Sequence, residues 1–230
     1  MRLFCLPHAG GGVTAYRSWN TGLPASVEIC PVMLPGRESR LSEPLYTQMS
    51  TLVEAMDQEL RPWLDIPYAV FGHSMGALLA FEWVRNLQRD GQKLPVWLFL
   101  SSRGAPDIPT GAKQLHLLSD DEFVAELTRL YDGLQDEFLE NDELMQMFMP
   151  ILRADVEVVE SYRFREGEPL DCPITVFSGK QDTSVSWDRQ QAWMRHTRRQ
   201  FSMQIIPGGH FYPHPPLLQA ISATLAVFLA

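Results

Sequence analysis

A serine between two glycines is the feature of this chain that first indicates chemistry. The stretch YAVFGHSMGALLA places Gly72, Ser74 and Gly76 in a Gly-x-Ser-x-Gly pattern. The apolar run before the serine is typical of a buried strand, and the segment after it is typical of the apolar start of a helix. An abrupt strand-to-helix turn strains the serine backbone and leaves no room for flanking side chains larger than hydrogen. The pattern predicts a nucleophilic hydroxyl raised above a sheet.

A serine hydroxyl needs a base beside it, and the chain has six histidines. His210 follows the last apolar run through a pair of glycines, so we expect it at the carboxyl edge of the sheet, where Ser74 also emerges. His214 is the alternative base. His73 is next to the serine, but adjacent residues in a tight turn diverge, so its ring is expected to point away.

The base in turn needs an acid, which in such sheets follows a strand between the serine and the histidine. Asp182 lies four residues past the apolar run ITVFS and meets that condition. Asp107, after VWLFLSSRGAP, meets it less well and stays open as the alternative.

Acyl transfer also needs N–H donors for the oxyanion of the tetrahedral intermediate. The backbone N–H of Met75, directly after the serine, is one expected donor. The glycine-rich loop LPHAGGG (6–12) offers the second, and Ala9 N–H is our choice within it. The same loop lacks the glycine and lysine spacing of a phosphate-binding loop.

The elements that would position these residues form an α/β pattern of short apolar runs separated by helical segments, which favours a mostly parallel sheet. Pro31 cannot donate to a ladder, so the second run is expected at a sheet edge or a bulge. The runs span 2–6, 27–34, 68–72, 96–101, 174–178 and 201–207, and the helices are expected at about 49–63, 75–90, 187–199 and 215–229.

The segment from about 107 to 165 carries helical pattern without a strand signal, and Ser119 and Glu122 within it have capping-box spacing. This insertion is longer than a crossover between two strands requires. One interpretation is a helical lid over the carboxyl edge of the sheet, and the other is a larger helical layer that completes the core.

Composition narrows the class of protein. The 230 residues suggest one domain, 1–230, and the formal net charge of −9 argues against nucleic acid or an anionic membrane as partner. Cys5, Cys30 and Cys172 have neither disulfide-framework nor zinc spacing, so free thiols are expected. With no signal peptide and no long apolar stretch, we expect a cytoplasmic protein.

Several segments together resemble the type II thioesterases of the α/β-hydrolase fold, the stand-alone editing enzymes of nonribosomal peptide and polyketide synthases. The resemblance extends over nearly the whole chain. One departure is the stretch DGLQ (132–135), where relatives often have a Gly-Gly pair. The resemblance rests on LPHAGGG (6–12), LPGRESR (34–40), GHSMGA (72–77), SSRGAP (101–106), PILRADVEVVESY (150–162), GKQD (179–182) and GGHFY (208–212).

The resemblance implies that Ser74 is the nucleophile, Asp182 the acid and His210 the base, with Ala9 and Met75 as the oxyanion donors. It implies hydrolysis of acyl or aminoacyl thioesters on the phosphopantetheine arm of acyl or peptidyl carrier proteins, which clears stalled or misprimed arms. The reaction would pass through an acyl-serine that water hydrolyses. No metal or dissociable cofactor is implied, because pantetheine belongs to the substrate.

Carrier proteins are usually acidic where they dock, whereas this chain is acidic overall. We therefore hypothesise a local basic surface formed by Arg37 and Arg40, or by the stretch RHTRR (195–199). A monomer is expected.

Three other functions would fit the same residues. A general carboxylesterase or lipase would prefer simple esters, and an acyltransferase would pass the acyl group to an alcohol or amine. A non-catalytic binding protein on this fold would leave Ser74 unreactive toward a fluorophosphonate.

Overall fold

The computed structural model describes residues 1–108, 114–131, 142–212 and 214–228, and a six-stranded sheet forms the centre of these ranges. Its strands lie in the order β2-β1-β3-β4-β5-β6, and each neighbouring pair is parallel. The mostly parallel sheet predicted from the apolar runs is confirmed. The strands are β1 (Arg2–Leu6), β2 (Glu28–Pro31), β3 (Tyr68–His73), β4 (Leu98–Ser101), β5 (Ile174–Gly179) and β6 (Phe201–Ile206).

Helices cover both faces of this sheet. The α-helices are α1 (Met49–Leu60), α2 (Met75–Arg89), α3 (Asp120–Leu130), α4 (Asp142–Ser161), α5 (Trp187–Gln191) and α6 (His214–Leu225). Short 3-10 turns are found at Val13–Tyr16, Trp19–Thr21, Glu38–Arg40, Arg61–Trp63, Leu115–Leu117, Ala192–His196 and Ala226–Phe228.

Alternate strand residues face two separate cores, as the two-residue period of a strand requires. In β1, Phe4 and Leu6 pack with α1 and α2 on one face, whereas Leu3 and Cys5 pack with α6 on the other. Strands buried on both faces appear as continuous apolar runs, which is why the sequence marks them clearly.

The second strand lies at an edge of the sheet, and among the described residues β2 pairs with β1 alone. Pro31 ends this strand opposite Cys5. The edge position predicted from the missing N–H of proline is confirmed.

The helix expected over 187–199 is shorter than predicted. The α-helix ends at Gln191 and continues as a 3-10 turn to His196. Thr197 already pairs with Leu170 in a parallel bridge, so the chain must be extended there. By contrast, α2 ends at Arg89 as expected, and Gly91 follows with a φ of +64°.

The insertion contains helices in its described parts, and the capping box of Ser119 and Glu122 is present. A separate apolar cluster joins α3 to the middle of α4 and consists of Leu115, Phe123, Leu127, Met149, Leu152 and Val156. Farther along α4, Val158 belongs to the core cluster of α1 and α2. The insertion therefore both extends the core and builds a layer of its own. The stretch DGLQ (132–135) lies outside the described residues.

The expectation of free thiols is confirmed, because Cys5, Cys30 and Cys172 form no disulfide. None of the helices in the described ranges combines the length and the apolar character needed to cross a bilayer.

Candidate active site

Ser74 occupies the turn between β3 and α2, with φ +55° and ψ −110°. This left-handed φ is strained for a residue with a side chain. A Cβ on Gly72 would collide with the carbonyl oxygen of Gly76, and a Cβ on Gly76 would collide with that of Leu6. Both glycines are therefore required for α2 to pack closely on β1 and β3, as the spacing predicted.

His210 reaches the centre of the carboxyl edge although its strand, β6, is at the end of the sheet. The loop after β6 crosses the end of β5, where a Cβ on Gly179 would collide with the carbonyl oxygen of Gly209. Ser102, just beyond β4, donates from Oγ to the His210 carbonyl oxygen at 3.1 Å. These contacts bring the imidazole to 5.3 Å from the His73 ring, centroid to centroid, beside the end of β3.

The carboxylate of Asp182 is the partner of this imidazole. His210 Nδ1 donates to Asp182 Oδ2 at 3.0 Å, and the two side chains are only 3% and 1% exposed. Ser184 supplies two further donors to Oδ1, its backbone N–H at 2.9 Å and its hydroxyl at 2.5 Å. Burial alone would raise the pKa of Asp182, but the hydrogen bonds from His210 and Ser184 outweigh it and lower the pKa. A charged acid at this position favours the imidazole orientation that a base requires.

The alternative acid, Asp107, and the alternative base, His214, contact other residues. Asp107 binds Arg195 at 2.6 Å and His196 Nε2 at 2.9 Å. His214 is located at the start of α6, where its ring packs against Trp19 at 5.7 Å. Neither residue is part of the Asp182 and His210 pair.

Neither ring nitrogen of His73 is hydrogen-bonded to Ser74 in the described part of the chain. Its Nδ1 is hydrogen-bonded to Ser101 Oγ at 2.6 Å, and that hydroxyl is hydrogen-bonded to Tyr212. Burial lowers the pKa of His73 well below its ordinary value, so this imidazole is neutral at pH 7.

Ser74 Oγ and His210 Nε2 are the two atoms between which proton transfer is predicted. Within the described ranges, neither Ser74 Oγ nor His210 Nε2 makes a hydrogen bond, whereas Nδ1 of the same imidazole is engaged. Catalytic hydrogen bonds are often long without substrate and tighten when it binds. The proton transfer between Ser74 and His210 stays a prediction.

The two predicted oxyanion donors are also unengaged. Ala9 N–H makes no hydrogen bond to any described residue, whereas the next two amides are used, Gly10 N–H by Asp155 and Gly11 N–H by the His8 carbonyl. Met75 is the first residue of α2, and the first N–H groups of a helix have no acceptor within it.

The hypothesis of a basic docking surface is wrong for Arg37, which is 4% exposed and paired with Asp155. The other candidate arginines each contact a carboxylate, so their positive charge is largely balanced: Arg40 with Glu43, Arg195 with Asp107, Arg198 with Glu168 and Arg199 with Asp171.

Sequence reasoning missed three features of the site. Ser184 follows Asp182 by two residues, and this Asp-x-Ser spacing is typical of a local side-chain turn that could have suggested the contact. The ring of Tyr131 lies 4.6 Å from the His210 ring, and no local pattern indicates this contact. Arg37 and Asp155 both lie within quoted motifs, but their pairing is visible only in three dimensions.

Two further features bear on ligands. Among the described residues, no group of three or more His, Cys, Asp or Glu side chains is arranged to hold a metal ion. A broad charged groove runs between α1, α2 and residues 161–168, but none of the predicted site residues lines it. The groove is therefore separate from the candidate active site.

Comparison with known proteins identifies the class to which this fold and site belong. The profile of the thioesterase domain family matches residues 1–225. The gramicidin S biosynthesis protein GrsT of Aneurinibacillus migulanus is 42% identical over 212 residues, which cover 92% of this chain and 82% of that protein. The chain belongs to the thioesterase family and is a hydrolase of thioester bonds.

Two solved structures are similar over nearly the whole chain. RedJ, a thioesterase of the prodiginine pathway in Streptomyces coelicolor, has 38% identity and a TM-score of 0.90, over 96% of this chain and 84% of its own. The type II thioesterase BorB from the borrelidin cluster has 36% identity and a TM-score of 0.87, over 100% and 92%. The predicted α/β-hydrolase fold and the resemblance to type II thioesterases are confirmed.

Proposed function

We propose that this thioesterase hydrolyses acyl and aminoacyl thioesters from the phosphopantetheine arm of carrier proteins and so edits a nonribosomal peptide or polyketide synthase. Ser74 is the nucleophile, His210 the base and Asp182 the acid, with Ala9 and Met75 donating to the oxyanion. The observation that carries the proposal is the buried hydrogen bond between His210 and Asp182 at the edge where the strained Ser74 turn emerges.

In the first half of the reaction, His210 Nε2 takes the proton of Ser74 as the hydroxyl oxygen attacks the thioester carbonyl. The carbonyl oxygen becomes an oxyanion and accepts from the N–H groups of Ala9 and Met75. Each such donor contributes about 3–4 kcal/mol to the transition state. The intermediate collapses as His210 returns its proton to the sulfur, and the pantetheine thiol leaves.

In the second half, His210 takes a proton from water, and the resulting hydroxide attacks the acyl-serine carbonyl. The second tetrahedral intermediate uses the same oxyanion donors. Ser74 then leaves as the alcohol with the proton from His210, and a free carboxylic acid is released. Asp182 holds the Nδ1–H of the imidazole through both halves and stabilises the imidazolium that forms in each.

The insertion acts as a lid over this site within a single domain, 1–230. Support comes from Tyr131, which directly follows α3 and contacts the His210 ring. The proposed lid has its own apolar cluster, and a lid over the site would exclude water from the reacting groups. The protein is proposed to act as a monomer.

The experiment is a hydrolysis screen of carrier proteins loaded with acetyl, longer acyl and aminoacyl groups, run with the wild type and Ser74→Ala. We expect the variant to lose at least about a thousandfold in turnover, because the chemistry then lacks its nucleophile. Mass spectrometry of the products should find the free acid.

The same screen separates the competing functions. A strong preference for p-nitrophenyl esters over loaded carrier proteins would favour a general carboxylesterase. An acyl group found on an alcohol or amine would indicate an acyltransferase. Turnover retained by Ser74→Ala would contradict the proposed nucleophile.

A further inference from the structure

A buried ion pair lies beneath the loop that follows β1. Arg37 and Asp155 are 4% and 1% exposed. Arg37 Nη1 and Nη2 donate to the two carboxylate oxygens of Asp155 at 2.6 and 2.8 Å. This bidentate geometry fixes the orientation of both side chains. Neither charge has a role in the reaction proposed above.

Both members of the pair hold the backbone of the loop. Gly10 N–H donates to Asp155 Oδ2 at 2.7 Å, and Arg37 Nη1 donates to the carbonyl oxygen of Gly11 at 3.0 Å. Gly10 has a φ of +74°, a conformation that a side chain would strain. The loop conformation next to Ala9 is therefore fixed by charge-assisted hydrogen bonds on both sides of Gly10, one to the 9–10 peptide and one to the 11–12 peptide.

The residue after Arg37 holds the far end of the same loop. Glu38 accepts from Val13 N–H at 3.0 Å and from Thr14 N–H at 3.3 Å through its two carboxylate oxygens. The segment that follows β2 thus fixes the segment that follows β1 at two points.

The helical insertion also contacts the loop that follows β1. Asp155 lies on α4, and a Cβ on Gly10 would fall within contact distance of Phe148 and Leu152 on the same helix. Ala9 itself packs against both the core cluster and the lid cluster. The position of α4 therefore sets the position of the Ala9 peptide.

We propose that Arg37 and Asp155 are positioning residues for the oxyanion site. They hold the peptide of Gly10 so that the neighbouring Ala9 N–H stays free and directed at the reacting carbonyl. The inference rests on the proposed function, because that function assigns Ala9 as a donor. Displacement of a catalytic group by about 1 Å costs on the order of 10²-fold in rate, and loss of a whole donor costs about 10²- to 10³-fold.

The test is Asp155→Asn, compared with Asp57→Asn as a matched control. Asp57 is also buried, at 7% exposure, and it accepts from Arg61 at 2.6 Å and from Trp83 Nε1 at 2.9 Å. Both of these partners lie outside the loop that follows β1. Both variants lose a buried negative charge and replace one of two acceptor oxygens by an NH2 donor, so both should lower Tm.

The readouts are kcat, KM and the affinity for a trifluoromethyl ketone analogue of the thioester. Titration with a fluorophosphonate gives the concentration of active sites by which kcat is normalised. For Asp155→Asn we expect kcat to fall by roughly 10- to 100-fold with KM little changed. Affinity for the ketone should fall by a similar factor, because its adduct needs the same oxyanion donors. Asp57→Asn should keep the wild-type kcat.

Arg37→Lys is the second variant, and it tests the inference even if Asp155→Asn does not fold. It keeps a positive charge opposite Asp155. It loses the bidentate geometry and the Gly11 contact, so we expect a smaller fall in kcat, about 3- to 30-fold. A kcat within about twofold of the wild type for the folded variants, or an equal fall in Asp57→Asn, would overturn the inference.

The ketone and a p-nitrophenyl ester keep this test separate from the proposed function. If the wild type failed to hydrolyse loaded carrier proteins, the editing function would fall. The effect of Asp155→Asn on the ester and on the ketone would still be measured, because each forms a tetrahedral adduct with Ser74 whose oxyanion needs the same N–H donors.

Discussion

The phenol ring of Tyr131 lies 4.6 Å from the imidazole of His210, centroid to centroid, with the ring planes inclined at 53°. Tyr131 directly follows α3, so this contact joins the helical insertion to the proposed base. An aromatic ring on one side of the imidazole limits its rotation and keeps water from that face. We therefore expect the insertion to influence the proposed base through this ring contact.

Replacement of Tyr131 tests this contact. Aromatic pairs contribute about 0.5–1.5 kcal/mol, so Tyr131→Ala should lower kcat/KM by roughly 2- to 12-fold. The Tyr131 hydroxyl makes no hydrogen bond to the described residues, so Tyr131→Phe should match the wild type. Steady-state kinetics on one loaded carrier protein gives both values. A large defect in Tyr131→Phe would show that the hydroxyl, and not the ring, matters.

Asp182→Asn should lower kcat by about 10³- to 10⁴-fold, because an amide can present N–H to Nδ1 and favour the wrong tautomer of His210. Asp107→Asn is the matched control, since its carboxylate binds Arg195 and His196 instead. Single-turnover hydrolysis by the two variants is the measurement. If Asp107→Asn were the inactive one, the assignment of the acid would be wrong.

Acid should destabilise the protein through His8. Burial, with His210 and Arg37 nearby, lowers the pKa of His8 to about 4. An unfolded histidine titrates near 6.5, so between these values the unfolded state binds the extra proton and stability is lost as pH falls. From pH 7 to pH 5 the loss from His8 is roughly 1–2 kcal/mol.

His8→Asn isolates this contribution. Urea unfolding at pH 7 and pH 5 should show a smaller loss of stability in the variant than in the wild type. The variant keeps part of the pH dependence, because burial also lowers the pKa of His73. Identical losses in the two proteins would mean that His8 accepts its proton freely in the folded state.

The glycines of the serine turn differ from a glycine that only ends a helix. Gly76→Ala puts a Cβ into the carbonyl oxygen of Leu6, whereas a Cβ on Gly91 meets nothing within 4 Å. We expect Gly76→Ala to cost at least about 3 kcal/mol and Gly91→Ala about 1 kcal/mol, from its positive φ alone. Thermal unfolding of both variants is the measurement, and equal shifts in Tm would contradict the steric argument.

Local pattern predicted the sheet, the serine turn and the loops that carry Asp182 and His210. Strands buried on both faces are continuous apolar runs, and Gly72 reflects a close approach within the strand-to-helix turn itself, to the carbonyl oxygen of Gly76. Gly76 instead approaches Leu6 on the neighbouring strand β1. The order of the residues along the chain then limits which acid and base follow which strand.

Long-range pairing could not be predicted in the same way. Arg37 and Asp155 are 118 residues apart in the chain. The charge of Arg37 predicted an exposed side chain, whereas the structure pairs it with Asp155. The helix after Trp187 ended early because Thr197 joins a bridge to Leu170, which is also a tertiary contact. Burial of a charge or the end of a helix depends in these cases on a partner that the local sequence does not show.

Ser74 is expected to carry the acyl group during the reaction. Rapid quenching of the enzyme with an acyl-loaded carrier protein, followed by mass spectrometry of the peptides, measures this directly. We expect the acyl mass on the peptide that contains Ser74 in the wild type and its absence in Ser74→Ala. Acyl mass on a different residue, or turnover by Ser74→Ala at the wild-type rate, would contradict it.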